Sequence, residues 1–296
     1  MAFIIGGPVT AVPTMVLFWT FFKKRVFALY MFICLSGTML IAYTFQFLVF
    51  VPGVDLGNAL LKGVGSLSGG TSSIIEKHDP NVRMVMDPAG KGVVATYTND
   101  ADGRGPIVFD ASRDRFAGAS ADRCDNRHYI FNVAEWLDQN SNSAAQKSIL
   151  VYTLSEGIAG DSSLLGDGVL AELGSRGFKV RLASRRDTPR ITERLLAGYG
   201  QLWLFFGPHG VNGLSDGEVK LITDYNAKGA AALIVPAGVR TDGNGDEEAN
   251  RLSSRYGVRF AGIVENRKEL HVSSASSVLT QTAEWLGSFL KMVKKA

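Results

Sequence analysis

Ser155, Glu156 and Gly157, with Gly160, Asp161 and Ser162 close behind, form a small polar run directly after the apolar stretch SILVYT. A run of this kind can hold an anion where a helix begins. It lacks the G-x-G-x-x-G order of a dinucleotide loop, and the Glu156 carboxylate would repel a phosphate. His209 stands between Pro208 and Gly210 after QLWLFF; a loop histidine is either a functional base or simply solvated. Asp242, Asn244 and Asp246 start like a calcium loop, but Glu247 occupies the place of the turn glycine and Ser253 that of the closing glutamate, so an ordinary solvated turn accounts for them. Asp110, Ser112, Arg113 and Asp114 follow the apolar run IVFD, where local turn bonding explains them without a function. Serine, histidine and aspartate are all present, yet no G-x-S-x-G segment places them as a triad. The two cysteines, Cys34 and Cys124, form neither a C-x-x-C pair nor a cluster. No metal site, cofactor or internal disulfide is expected.

These residues sit between apolar runs and amphipathic segments that alternate. Val93–Thr98, Ile107–Asp110, Ser148–Thr153, Lys179–Leu182, Gln201–Phe206 and Ala230–Val235 read as strands. Between them Asn126–Leu137, Leu164–Arg176, Arg190–Ala197, a segment from Ser215 to Ala227, and Glu247–Tyr256 read as helices. Ser215 with Glu218 has the spacing of a capping box. Strands alternating with helices imply βαβ units. The expected class is α/β: a doubly wound, flavodoxin-like parallel sheet over residues 85–296. Ligands in such sheets bind beyond the carboxyl ends of the strands. That rule selects Ser155, Glu156, Gly157, His209 and Asp242 as ligand-binding candidates.

Ahead of this domain the composition changes. From Ala2 to Val51 the charged side chains are Lys23, Lys24 and Arg25 alone. Ala2–Phe22 and Val26–Val51 each reach the ~20 apolar residues that a membrane-crossing helix needs. The expectation is two transmembrane helices over residues 1–51, then a juxtamembrane helix and linker over 52–84. A basic turn between spans faces the cytoplasm, which would put the soluble domain on the extracytoplasmic side of a multi-pass cell-membrane protein. The lipid bilayer, other membrane helices or a second copy of the chain are its expected partners. Gly6, Gly7, Pro8, Thr10 and Pro13 interrupt the first span. They either line a transport path or let a kinked anchor pack closely against another helix. A net charge of +3 and the lack of a basic, aromatic-laced stripe argue against nucleic acid.

Two resemblances add to this reading. Residues 6–46, a Gly-Pro-Val-Thr run, a second proline, a basic turn and a long Leu/Gly-rich segment, resemble the last helix pair of the predicted permeases, the family of the organoarsenical exporters. That resemblance implies a membrane transport role, although such permeases have many helices and two cannot enclose a pore. The order ILVYTLSEG, GYGQLWLFFGP, LSDGEVKLITDYNAKGAAALIVPAG and ANRLSSRYGVRFAG resembles the noncatalytic, membrane-associated branch of the class I glutamine-amidotransferase-like fold. The strand-and-helix piece that closes such domains comes first here, as GPIVFDASRDRF and DNRHYIFNVAEWL, which implies a permuted sheet. The resemblance places the nucleophile elbow after AALIV, where Pro236, Ala237, Gly238 and Val239 offer neither cysteine nor serine. No catalytic residue is therefore expected. The combined expectation is a permease-related membrane protein whose α/β domain binds a small ligand or a protein. The alternatives are a membrane-tethered hydrolase built on Glu156 and His209, and a membrane-anchored structural interaction module.

Overall fold

Apolar runs that leave no polar side chain to face water make the middle of the sheet. The computed structural model of the chain describes residues 59–87, 90–99, 102–154, 164–207, 213–238, 246–267 and 269–271. In chain order the strands are β1 (Ser66–Leu67), β2 (Gly70–Lys77), β3 (Val82–Met86), β4 (Gly92–Tyr97), β5 (Ile107–Asp110), β6 (Ser148–Thr153), β7 (Lys179–Ser184), β8 (Gln201–Phe205), β9 (Ala231–Val235), β10 (Val258–Arg267) and β11 (Leu270–His271). The helices are α1 (Gly118–Ala121), α2 (Asn126–Asn140), α3 (Asp167–Ser175), α4 (Glu193–Leu196), α5 (Asp216–Ala227) and α6 (Glu247–Ser253).

Nine strands form one sheet in the order β10-β2-β4-β5-β9-β8-β6-β7, with β3 on the free edge of β4. Strands β7, β6, β8, β9 and β5 run parallel. Counted from β6, their order is 2-1-3-4-5, the doubly wound order of flavodoxin-like sheets, with the earliest of the five in the chain, β5, in the fifth place. The helices divide as this winding requires. α2 and α3 cover one face with Phe116, Trp203 and Phe205, while α5 and α6 cover the other with Phe109, Tyr152 and Phe260. Burial on both faces is why β5, β6, β8 and β9 read as unbroken apolar runs.

The expected architecture needs correction on three counts. The sheet is mixed rather than parallel throughout: β4 pairs antiparallel with β5, β3 with β4, and β10 with β2. Residues 66–84, expected to belong to the juxtamembrane helix and linker, supply β1, β2 and most of β3 instead. The physical reason is long-range pairing. β2 (GTSSIIEK) is poor in apolar residues and is ordered by its ladder to β10, Val258 opposite Lys77 and Phe260 opposite Ile75. The two transmembrane helices are likewise not supported. No helix among the described residues is long and apolar enough to cross a membrane. The longest of them, α2, has 15 residues, about 22 Å at 1.5 Å per residue against a ~30 Å hydrocarbon core. Residues 2–51, with Gly6, Gly7, Pro8, Thr10 and Pro13, lie outside the described residues. The multi-pass cell-membrane placement and the membrane, permease and transport assignments rested on that segment, and no described helix supports them.

Candidate functional site

Period-two alternation along β5 sends Ile107 and Phe109 to the α5–α6 face and Val108 to the α2 face. The next residue, Asp110, therefore turns toward α2. It is fully buried, and so is Arg115, which the 3-10 turn at Arg113–Arg115 brings back over the strand end. Arg115 Nη1 donates to Asp110 Oδ1 at 2.7 Å, Tyr129 Oη to Asp110 Oδ2 at 2.7 Å, and the Ser112 amide to Oδ1 at 2.7 Å. Burial, reinforced by the Asp110 charge, holds the Tyr129 phenol well above its ordinary value, so it remains a donor. Arg115 Nε donates to the Ser68 carbonyl at 3.2 Å, while its Nη2 has no hydrogen-bond partner among the described residues.

On the other side of the same strand end, the Ser73 hydroxyl donates to Asp246 Oδ2 at 2.6 Å. The Ser73 amide donates to the Ala111 carbonyl at 2.9 Å. Burial raises the Asp246 carboxyl above its ordinary value, opposed by hydrogen bonds from Ser73 and the Gly238 amide. Among the described residues, Asp246 Oδ1 and the buried Ser72 Oγ have no partner. Arg113 Nη1 donates to the Phe206 carbonyl at 3.1 Å, which ties this group to the end of β8. The carboxyl ends of β5, β9 and β8 thus carry Asp110, Arg113, Ser73 and Asp246. Buried polar atoms without partners are rare in folded proteins and each calls for an explanation; three of the six among the described residues, Arg115 Nη2, Ser72 Oγ and Asp246 Oδ1, belong to this group.

Beyond β9 the backbone turns through Pro236 and the buried Ala237 to Gly238, whose φ is +65°. A nucleophile elbow holds its reactive residue on such a sharp strand-to-helix turn. Here the left-handed position carries a glycine, which has no side chain to attack with.

Ser155, Glu156, Gly157, His209 and Asp242 lie outside the described residues. The structure brings together a different set, including two sites that the sequence reading set aside. Asp110, Ser112, Arg113 and Asp114 were expected to be a locally bonded turn; Asp110 is instead a buried hub. Asp246 was expected to sit in a solvated turn; it is tied to Ser73 and partly buried. An aspartate closing an apolar strand run was the available signal for Asp110. No local signal joins Ser73 to Asp246, 173 positions apart. Among the described residues no group of three or more His, Cys, Asp and Glu side chains could hold a metal ion.

No protein-family model matches the chain, and no curated protein matches it either. Two solved structures are similar to it. The structure of IMPa from Pseudomonas aeruginosa in complex with an O-glycopeptide is 11% identical, with a TM-score of 0.50; the match covers 77% of this chain and 24% of that one. The IMPa metallopeptidase from Pseudomonas aeruginosa is 12% identical, with a TM-score of 0.48, covering 70% of this chain and 21% of that one. The first of these likenesses shows the fold alone. The chain spans less than a quarter of the length of either structure.

Proposed function

We propose that the α/β domain is a binding domain without a covalent nucleophile, which takes a small polar ligand or a protein segment over the carboxyl ends of β5, β9 and β8. The observation that carries this reading is the turn after β9. Its left-handed position is Gly238, behind Pro236 and Ala237, so the strand end can shape a ligand but not attack it. The polar groups beside it, Ser73, Asp246 and Arg113, supply both acceptors and a cation at the place where open α/β sheets hold ligands. The resemblance to the noncatalytic glutamine-amidotransferase-like branch supports the same reading.

The test is a thermal-shift screen of the full chain against sugars, amino acids and nucleotides. Ligand that binds the native state raises the midpoint by mass action, by about 2.7 kcal/mol of stability at a hundredfold excess over Kd. At least one compound is expected to stabilise the wild type, and Asp246→Asn or Arg113→Ala to abolish that shift. Covalent labelling of the domain by a fluorophosphonate or an iodoacetamide probe at a residue other than Cys124, with no stabilising compound in the panel, would overturn the proposal in favour of an enzyme.

A further inference from the structure

The chain crosses from one face of the sheet to the other between Leu67 and Ile75. Leu67 packs in the core beside α2, and Ile75 in the core beside α5 and α6. The crossing passes over the carboxyl end of β5 and reads Ser68-Gly69-Gly70-Thr71-Ser72-Ser73. It contributes no apolar side chain to either core. Its bonds to the body of the domain are polar: from Gly70 on, its backbone pairs with β10, Ser72 opposite Val264 and Ser73 opposite Ile263, and the Ser68 carbonyl accepts from Arg115 Nε. Asn126 accepts from the Ser68 amide at 2.9 Å and donates to its hydroxyl at 2.5 Å; Ser112 Oγ donates to the Gly69 carbonyl at 2.5 Å; the Ser73 amide donates to Ala111. Ser73 Oγ on Asp246 is the bond between this crossing and α6. Gly70 has φ +47°, and a Cβ there would collide with the Asp114 carboxylate.

A segment held by hydrogen bonds, with apolar anchors at both ends and none between, opens locally at a lower free energy than the core beneath it. We infer that residues 68–73 are a releasable bridge, latched by Ser73 on Asp246, whose opening uncovers the carboxyl end of β5. The anchors at Leu67 and Ile75 stay in place, so the bridge lifts by unpairing only the first residues of β2 from β10, while the rest of the sheet holds. What the opening admits rests on the binding function proposed above. The opening itself does not, and it is measured without ligand.

The experiment is amide hydrogen exchange on the full chain. In the wild type the Ser68 and Ser73 amides are expected to exchange at least about a hundredfold faster than the buried amides of β5 and β9. Ser73→Ala should speed the bridge amides by a further factor of about ten, the weight of one charge-assisted hydrogen bond, and leave β5 and β9 unchanged. Gly70→Ala should act in the same direction through the Asp114 collision. Bridge amides that exchange at the rate of β5 and β9 would overturn the inference, as would a Ser73→Ala effect shared equally by the whole sheet. If the bridge opens yet no compound stabilises the domain, the bridge stands and the binding function falls.

Discussion

Glu218 and Asp246 occupy similar places and meet opposite fates. Each stands at the start of a helix that follows a parallel strand, Glu218 in the first turn of α5 after β8 and Asp246 at the cap of α6 after β9. Glu218 accepts from both Nη atoms of Arg185, at 2.5 and 3.1 Å, from the Ile191 amide at 2.9 Å, and from the Ser215 amide and hydroxyl at 2.9 Å. Burial pushes its carboxyl up, but these donors outweigh burial and bring it down to about 2. Asp246 has the Ser73 hydroxyl and the Gly238 amide, and burial wins. A buried carboxylate becomes scaffold when its donors fill both oxygens. It stays available for binding when one oxygen is left without a donor, as Asp246 Oδ1 is among the described residues.

The contrast breaks most visibly at Glu218. Removing one partner of a buried ion pair strands the other charge. Arg185 and Glu218 expose only 6% and 7% of their side chains, so Glu218→Ala is expected to cost about 3–5 kcal/mol in urea unfolding. A loss below about 1 kcal/mol, the range of surface pairs, would show that the clamp is solvated. The same group sets an acid limb. Its folded pKa of about 2 lies below the ordinary 4.5. Its contribution is therefore complete above about 4.5 and disappears as the pH falls through about 2. Urea midpoints measured down this range should fall in the wild type and flatten in Glu218→Gln.

The scaffold side of this comparison was legible in the sequence, and the site side was not. The Ser215–Glu218 capping box is a local pattern four residues wide, and it forms with both reciprocal bonds. IVFD, SILVYT, QLWLF and AALIV were readable as strands because burial on both faces demands unbroken apolar runs. The bridge and β2 carry no such pattern. Gly69, Gly70 and the serines after them have the composition of a linker, and they become a strand only because β10, nearly the full domain away in sequence, lies alongside. Arg115 reaches Asp110 through a 3-10 turn rather than a helical or strand period, so spacing could not pair them. The site therefore rests on contacts that tertiary packing creates, whereas the strands rest on composition.

Asp110 sharpens the comparison on the other face. Asp110→Asn keeps the shape but removes the charge facing the fully buried Arg115, and is expected to cost about 2–3 kcal/mol. Tyr129→Phe deletes one donor to the same carboxylate and should cost about 1 kcal/mol. Equal losses in the two variants would mean that the ion pair contributes no more than a neutral hydrogen bond.

The smallest effect is the most telling. Burial holds the folded pKa of Asp246 above its ordinary value, so its charged form weakens the fold. A group shifted this way stabilises below its unfolded pKa, and that contribution is lost as the pH rises through the folded one. Asp246→Asn removes the charge and leaves an amide that can still accept from Ser73. At neutral pH the variant is expected to lie within about 0.5 kcal/mol of the wild type, the range of positions that the fold does not depend on. Its midpoint should also lose the component that rises on mild acidification in the wild type. A loss comparable with that of Glu218→Ala would mean that Asp246 is as much scaffold as Glu218, and that the carboxyl end of β9 holds no group set aside for a ligand.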